Sequence, residues 1–152
     1  MNRNRPDPIP PPRHHTVQIT IPSVLTEVDG VCHQARALLQ AHKQDDHIFA
    51  VDLLLRECLN NAILHGNGRD ASKPVHVTLR IGRKAILLSV TDAGSGFDWR
   101  ARRGHVPEPS ATSGRGLAIG RAYAQRILFN HEGNQVVLAI KTPVHLTQEH
   151  TG

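Results

Sequence analysis

The sequence predicts an α+β fold, a two-layer arrangement of a mixed, mainly antiparallel sheet with helices on one face. Two observations lead there. Period-2 apolar alternation recurs in short segments, most of which fall in hairpin pairs. Helical periodicity occupies two consecutive segments between the first strand and the first hairpin, giving the order β-α-α-β-β-loop-α-β-β. That order segregates helices from antiparallel hairpins and differs from the alternation of a doubly wound sheet.

Each element has its own signal. Residues 1 to about 15, "MNRNRPDPIPPPRHH", are proline-rich and polar, and are expected to form a disordered arm. "HTVQITIP" alternates Val17, Ile19 and Ile21 and reads as a strand ending at Pro22. Ser23 is then expected to cap a helix over roughly 24 to 42, with Val24, Val28, Val31, Ala35, Leu38 and Leu39 on one face. Asp45 and Asp46 open a second helix that runs to about His65, where Gly66, Asn67 and Gly68 end it. "VHVTLRI" and "AILLSVTD" are strands joined at Gly82-Arg83-Lys84. A long Gly-, Pro-, Ser- and Arg-rich segment follows, from Ala93 to Ser113, of a kind that is usually functional or disordered. A third helix over about 115 to 125 precedes a closing hairpin, "RILFNHEGNQVVLAIKT", that turns at Glu132-Gly133-Asn134. The domain is therefore expected over residues 16–143, with 144–152 as a flexible tail.

Composition narrows the function classes. The 152 residues suggest one domain, large enough to bury roughly 68–70% of its unfolded surface. Cys32 and Cys58 fall on apolar helix faces and read as reduced core thiols, with no zinc spacing or disulfide framework. No run reaches the roughly 18 apolar residues of a spanning helix, and no secretory signal opens the chain. A cytoplasmic protein without membrane contact is the expectation. The net charge of +5 could favour nucleic acid or an acidic protein. The basic residues are scattered, however, apart from Arg100, Arg102 and Arg103, and aromatics make up only 3% of the chain, which disfavours a base-stacking platform.

Three motifs carry chemistry. In "RECLNNAILHGNG", Glu57, Asn61 and His65 stand four apart. That spacing is one turn plus about 40°, so they form a slanting row that climbs from the wet side to the border of the apolar stripe. A carboxylate and an amide oxygen on one face suit Mg²⁺ with its phosphate ligands, and a base for a hydroxyl proton. In "VTDAGSGFD", Asp92 ends a buried strand and can accept a hydrogen bond from an exocyclic amine such as that of adenine. Gly94 and Gly96 permit close backbone approach. In "TSGRGLAIG", Gly114 and Gly116 precede a helix whose first amides can bind anions, and Arg115 adds positive charge. Walker and dinucleotide-binding signatures are both missing. Each motif also has a bland alternative: a solvated helix edge, an ordinary Asp-Gly turn, a flexible loop.

In combination and order, the motifs resemble the ATP-binding fold of the GHKL group, shared by DNA gyrase, a heat-shock chaperone, histidine kinases and a mismatch-repair protein. Within that group the sequence most resembles the small bacterial anti-sigma serine/threonine kinases and related switch kinases. "ECLNNAILHGN" is similar to their N box, "DAGSGFD" to the first glycine box and "SGRGLAI" to the second, and the resemblance covers about Val17 to Lys141. It implies ATP and Mg²⁺ as cofactors. Asn61 would ligate Mg²⁺, Glu57 would act as catalytic base, and Asp92 would recognise the adenine amino group, with Gly94 and Gly96 shaping that pocket. Gly114, Arg115 and Gly116 would border the phosphates, and residues 98–113 would cover the nucleotide. Two departures stand out. Ala118 occupies a position that is often glycine in the wider group but commonly is not in the sigma-regulator branch. The lid carries no obvious lysine, a role that Arg115, or Arg102 and Arg103, could fill. His65 matches a family histidine and is expected to pack at the helix end.

The resemblance further implies phosphorylation of a STAS-domain anti-anti-sigma protein, sequestration of a sigma factor or similar regulator, and homodimerisation. The length leaves no room for the dimerisation helix and sensor of a full histidine kinase. The alternative is an ATP-binding switch module that sequesters a partner without phosphoryl transfer. A basic nucleic-acid-binding domain rests on charge alone.

Overall fold

The computed structural model describes residues 14–96 and 122–142. Strand β1 spans His15–Pro22, followed by a 3-10 turn over Leu25–Glu27 and helix α1 over Val28–Ala41. A second 3-10 turn, Asp45–His47, leads into α2, Ile48–Asn61, which continues as a π-helical turn over Ala62–Gly66. Strands β2 (Pro74–Ile81), β3 (Ala85–Thr91), β4 (Arg126–Phe129) and β5 (Gln135–Lys141) complete the described elements. The fold is α+β, as the segregated elements predict.

The sheet order is β1-β2-β3-β5-β4, and all four pairings among these strands are antiparallel. The mixed pairing expected from sequence therefore does not occur among the described residues. Hairpins explain two of the four pairings, β2–β3 and β4–β5, because a short reversal joins antiparallel neighbours. Register turns the period-2 alternation into a continuous apolar face. Val17 lies opposite Leu79, Leu79 opposite Leu88, Leu88 opposite Leu138, and Leu138 opposite Ile127. A parallel row runs Ile81, Ile86, Ile140. The outward positions between them include Thr16, Gln18, Thr20, His76 and Lys141, which are exposed.

The helices cover the apolar face. Val28, Val31, Cys32, Ala35 and Leu39 of α1 and Val51, Leu54, Leu55 and Leu59 of α2 join the sheet residues in one core. Cys32 is buried and Cys58 packs partly buried against the same core, and both thiols are free. Burial pushes the Cys58 thiol up to about 12, with the neighbouring Glu57 charge a lesser contributor. The two helices are also joined at the surface by Arg56, which donates to Asp29 on α1 at 2.6 Å and to Asp52 one turn back at 3.0 Å. No helix among the described residues is long and apolar enough to cross a membrane.

The first helix begins later than its sequence signal suggests, and Ser23 does not cap it. The Ser23 hydroxyl instead donates to the Lys73 carbonyl at 2.6 Å, and the chain takes a 3-10 turn before α1 starts. A tertiary partner has claimed the oxygen that a helix cap would use. The arm up to residue 13, residues 98–113, most of the third predicted helix and the tail from 144 lie outside the described residues.

Candidate functional site

The site is assembled where the C-terminal end of α2 meets the end of β3. α2 is anchored by a buried stripe in which Leu55 and Leu59 are 0% exposed, so the opposite edge of the helix is held at a fixed height above the sheet. Glu57 lies on that edge half-buried, and Asn61 is exposed. Among the described residues neither side chain has a hydrogen-bond or ion-pair partner, although Arg56 beside Glu57 is doubly paired. A carboxylate and an amide left unengaged along one wall are available to a ligand.

After Asn61 the helix widens. The Asn67 amide donates to the Ala62 carbonyl at 2.8 Å, and the Arg69 amide to Ile63 at 2.8 Å, with Gly68 at φ +58° closing the end. π-turns are uncommon and occur often at functional sites. Here the turn delivers the backbone of Gly66 directly against the loop after β3. A Cβ on Gly66 would overlap the Asp92 carboxylate, and one on Gly94 would overlap the Gly66 carbonyl. Both positions therefore exclude side chains because of this contact. The turn also ends the straight helical row. His65 is exposed and does not pack at the helix end as expected.

Asp92 sits at the floor of this junction. Its amide donates to the Asn134 carbonyl at 2.9 Å, its carbonyl accepts from Asn134 Nδ2 at 3.2 Å, and its Oδ1 accepts from the Gly94 amide at 2.8 Å. Oδ2 has no donor among the described residues. Burial raises the carboxyl above the ordinary aspartate range, opposed by the Gly94 hydrogen bond and by the Lys73 charge. A half-buried carboxylate with one oxygen committed and one free is suited to accept a hydrogen bond from a neutral amine donor. Gly96 continues the loop at φ +83° beneath the β4–β5 turn, where a Cβ would overlap the Glu132 carbonyl. The turn itself is held by Asn130, whose Oδ1 accepts from the amides of Gly133, Asn134 and Gln135.

Residues 21–140 match the model of the histidine kinase-like ATPase domain. The chain belongs to this family. No curated protein matches the sequence. Membership supports ATP binding and an ATP-utilising activity for the domain, and the α+β sheet with its two helices is consistent with the fold of that group.

Within this ATPase domain the structure brings together the first two sequence motifs. The end of the α2 segment, through Gly66, and the β3 terminus, through Asp92 and Gly94, share one junction. Gly114, Arg115 and Gly116, with Arg102, Arg103 and Ala118, lie outside the described residues. One residue of the junction is missed by sequence reasoning. Asn67 reads from sequence only as a helix stop, yet it is 3% exposed and its side chain is fully engaged. Its signal was the company it kept, an Asn directly after the glycine that touches Asp92, and that is visible only once β3 is in place.

Proposed function

We propose that the domain is a Mg-ATP-dependent serine/threonine protein kinase of the anti-sigma switch type, which phosphorylates a STAS-domain antagonist and sequesters a sigma factor or similar regulator. The observation that carries the reading is the junction of Gly66 and Gly94 around a half-buried Asp92, whose Oδ2 has no donor among the described residues, at the end of the helix segment that bears Glu57 and Asn61, neither of them partnered among those residues.

The residues fit an adenine nucleotide. Asp92 would accept from the exocyclic amine, and the glycines let the backbone close around that carboxylate. Asn61 would hold Mg²⁺ together with the phosphates. Among the described residues no group of three or more His, Cys, Asp or Glu is arranged to hold a metal, and Mg²⁺ bound with nucleotide usually takes few protein ligands. When bound, the magnesium nucleotide supplies the phosphoryl group and neutralises charge on it. Glu57, one helical turn from Asn61, would accept the proton of an incoming hydroxyl. Gly114, Arg115 and Gly116 would border the phosphates. Catalysis of this kind rests on alignment and charge neutralisation more than on covalent chemistry by the protein.

The test is Glu57→Ala with a STAS-domain acceptor and labelled ATP. ATP binding by calorimetry should persist, while phosphate transfer should fall by roughly 10²–10⁴-fold, the usual contribution of a positioned base. Transfer at the wild-type rate would remove Glu57 from the mechanism. Binding of ATP with no transfer by the wild type would favour the sequestering switch module instead.

A further inference from the structure

We propose that Asn67 is a positioning residue that holds Asp92 in the orientation needed to discriminate adenine, so that base selectivity depends on an amide outside the nucleotide's own contacts. The inference rests on the adenine-recognition reading of Asp92 given above.

The bonding around Asn67 fixes its amide in one sense. Nδ2 faces the Ser23 hydroxyl at 2.8 Å, the Pro74 carbonyl at 3.0 Å and the Lys73 carbonyl at 3.4 Å. The Ser23 proton is already given to the Lys73 carbonyl at 2.6 Å, so Ser23 must accept from Asn67. On the other side, Oδ1 accepts from the Ala93 amide at 2.8 Å. Reversing the amide would set an oxygen against two carbonyls and an NH₂ against an N–H. Asp in place of Asn would place an anionic oxygen against the same carbonyls. Asn67 therefore ties three segments together: the β1–α1 junction, the start of β2 and the loop after β3.

The consequence falls on Asp92. Three successive amides leave β3, and each has one partner. Asp92 donates to the β4–β5 turn, Ala93 to Asn67, and Gly94 to the Asp92 carboxylate. Among the described residues, the Ala93 bond is the one side-chain hydrogen bond that joins this loop to the residues just after the α2 segment. It fixes the peptide that follows Asp92, and that peptide carries the chain to the Gly94 amide that orients Oδ1. Without Oδ1 of Asn67, the Asp92–Ala93 peptide keeps only the 3.2 Å bond from Asn134 Nδ2 to its carbonyl, and the carboxylate is less firmly directed. A fully satisfied buried amide of this kind rigidifies the segments it joins.

The experiment compares the affinity for ATP with that for purine riboside triphosphate, which lacks the 6-amino group, in wild type, Asn67→Ala and Ser23→Ala. Wild type should prefer ATP roughly tenfold or more, as expected for a hydrogen bond to a charged acceptor. Asn67→Ala should reduce that preference to within about twofold, the scale left when a single oriented bond is lost. Ser23→Ala removes one anchor of Nδ2 but keeps the Asn67–Ala93 bond, so it should lower the melting temperature and keep the preference. Amide hydrogen exchange of the nucleotide-free wild type supplies a readout that does not depend on the variants: Ala93 should be protected by its bond to a buried acceptor. If wild type does not discriminate, the adenine reading of Asp92 falls and this proposal with it. If wild type discriminates and Asn67→Ala still does, or if Ser23→Ala loses the preference equally, the positioning role alone is overturned. Unprotected exchange at Ala93 overturns it as well, even if Asn67→Ala fails to fold.

Discussion

Asp92 meets two opposing demands at the residue scale. Recognition of an amine, as proposed, would need its carboxylate ionised, while its burial favours the protonated form and raises its pKa. Removal of the charge should therefore separate binding from stability. Asp92→Asn presents an NH₂ or an uncharged oxygen to the base and should weaken ATP binding roughly 10²-fold or more in calorimetry. The sign of the stability effect follows from the raised pKa. The folded state holds its proton to higher pH than the unfolded chain, so the wild-type residue contributes most at low pH and that contribution is lost as pH rises through the folded value. Without nucleotide, Asp92→Asn should melt no lower than wild type at neutral pH, with a gain on the order of a few degrees at most, and the gain should shrink as pH falls toward the ordinary aspartate range. A variant less stable at neutral pH than at acid pH, relative to wild type, would contradict this account. Asp92 and Gly94 were legible in the sequence because strand-end acid plus glycines is a local pattern. Asn67 was not, because all its partners lie on other segments, and Gly66 showed only as a helix stop.

At the scale of elements, α2 is held by its buried stripe. Leu55, fully buried between sheet and helix, should cost about 2–5 kcal/mol when replaced by alanine, measured by urea denaturation. Arg56→Ala should cost less than about 1 kcal/mol by the same measurement, because the Asp29 and Asp52 pairs sit near the surface, where water screens them. Equal losses for the two variants would mean that the helix is held by its surface pairs and not by its core stripe. Elements with a strong local period were legible: β1 has the span read from Val17, Ile19 and Ile21, and the two hairpins turn where glycine and polar residues gather. The misreadings share a physical cause. Ser23 was assigned to a cap, and a carbonyl across the fold took its proton. The end of α2 was read as regular helix, and it runs as a π-turn that sets Gly66 against Gly94 of the loop after β3. Local propensity cannot register a partner that arrives from another strand.

At the scale of the whole molecule, sheet topology creates the site. β5 inserts between β3 and β4, so the end of β3 meets the β4–β5 turn on one side and the end of the α2 segment on the other. Asp92 is thereby gripped from both directions. The central claim is that an adenine nucleotide occupies the space beside the last turns of α2 and the loop after β3. Its most direct test is a titration of isotope-labelled protein with Mg-ADP, followed by amide chemical shifts. The account predicts saturable shifts concentrated at Asn61, Gly66, Ala93, Gly94 and Gly96, with the outer-face residues Thr20 and Thr78 unmoved. Saturable shifts that leave those five amides in place, or no shifts at any nucleotide concentration, would contradict it.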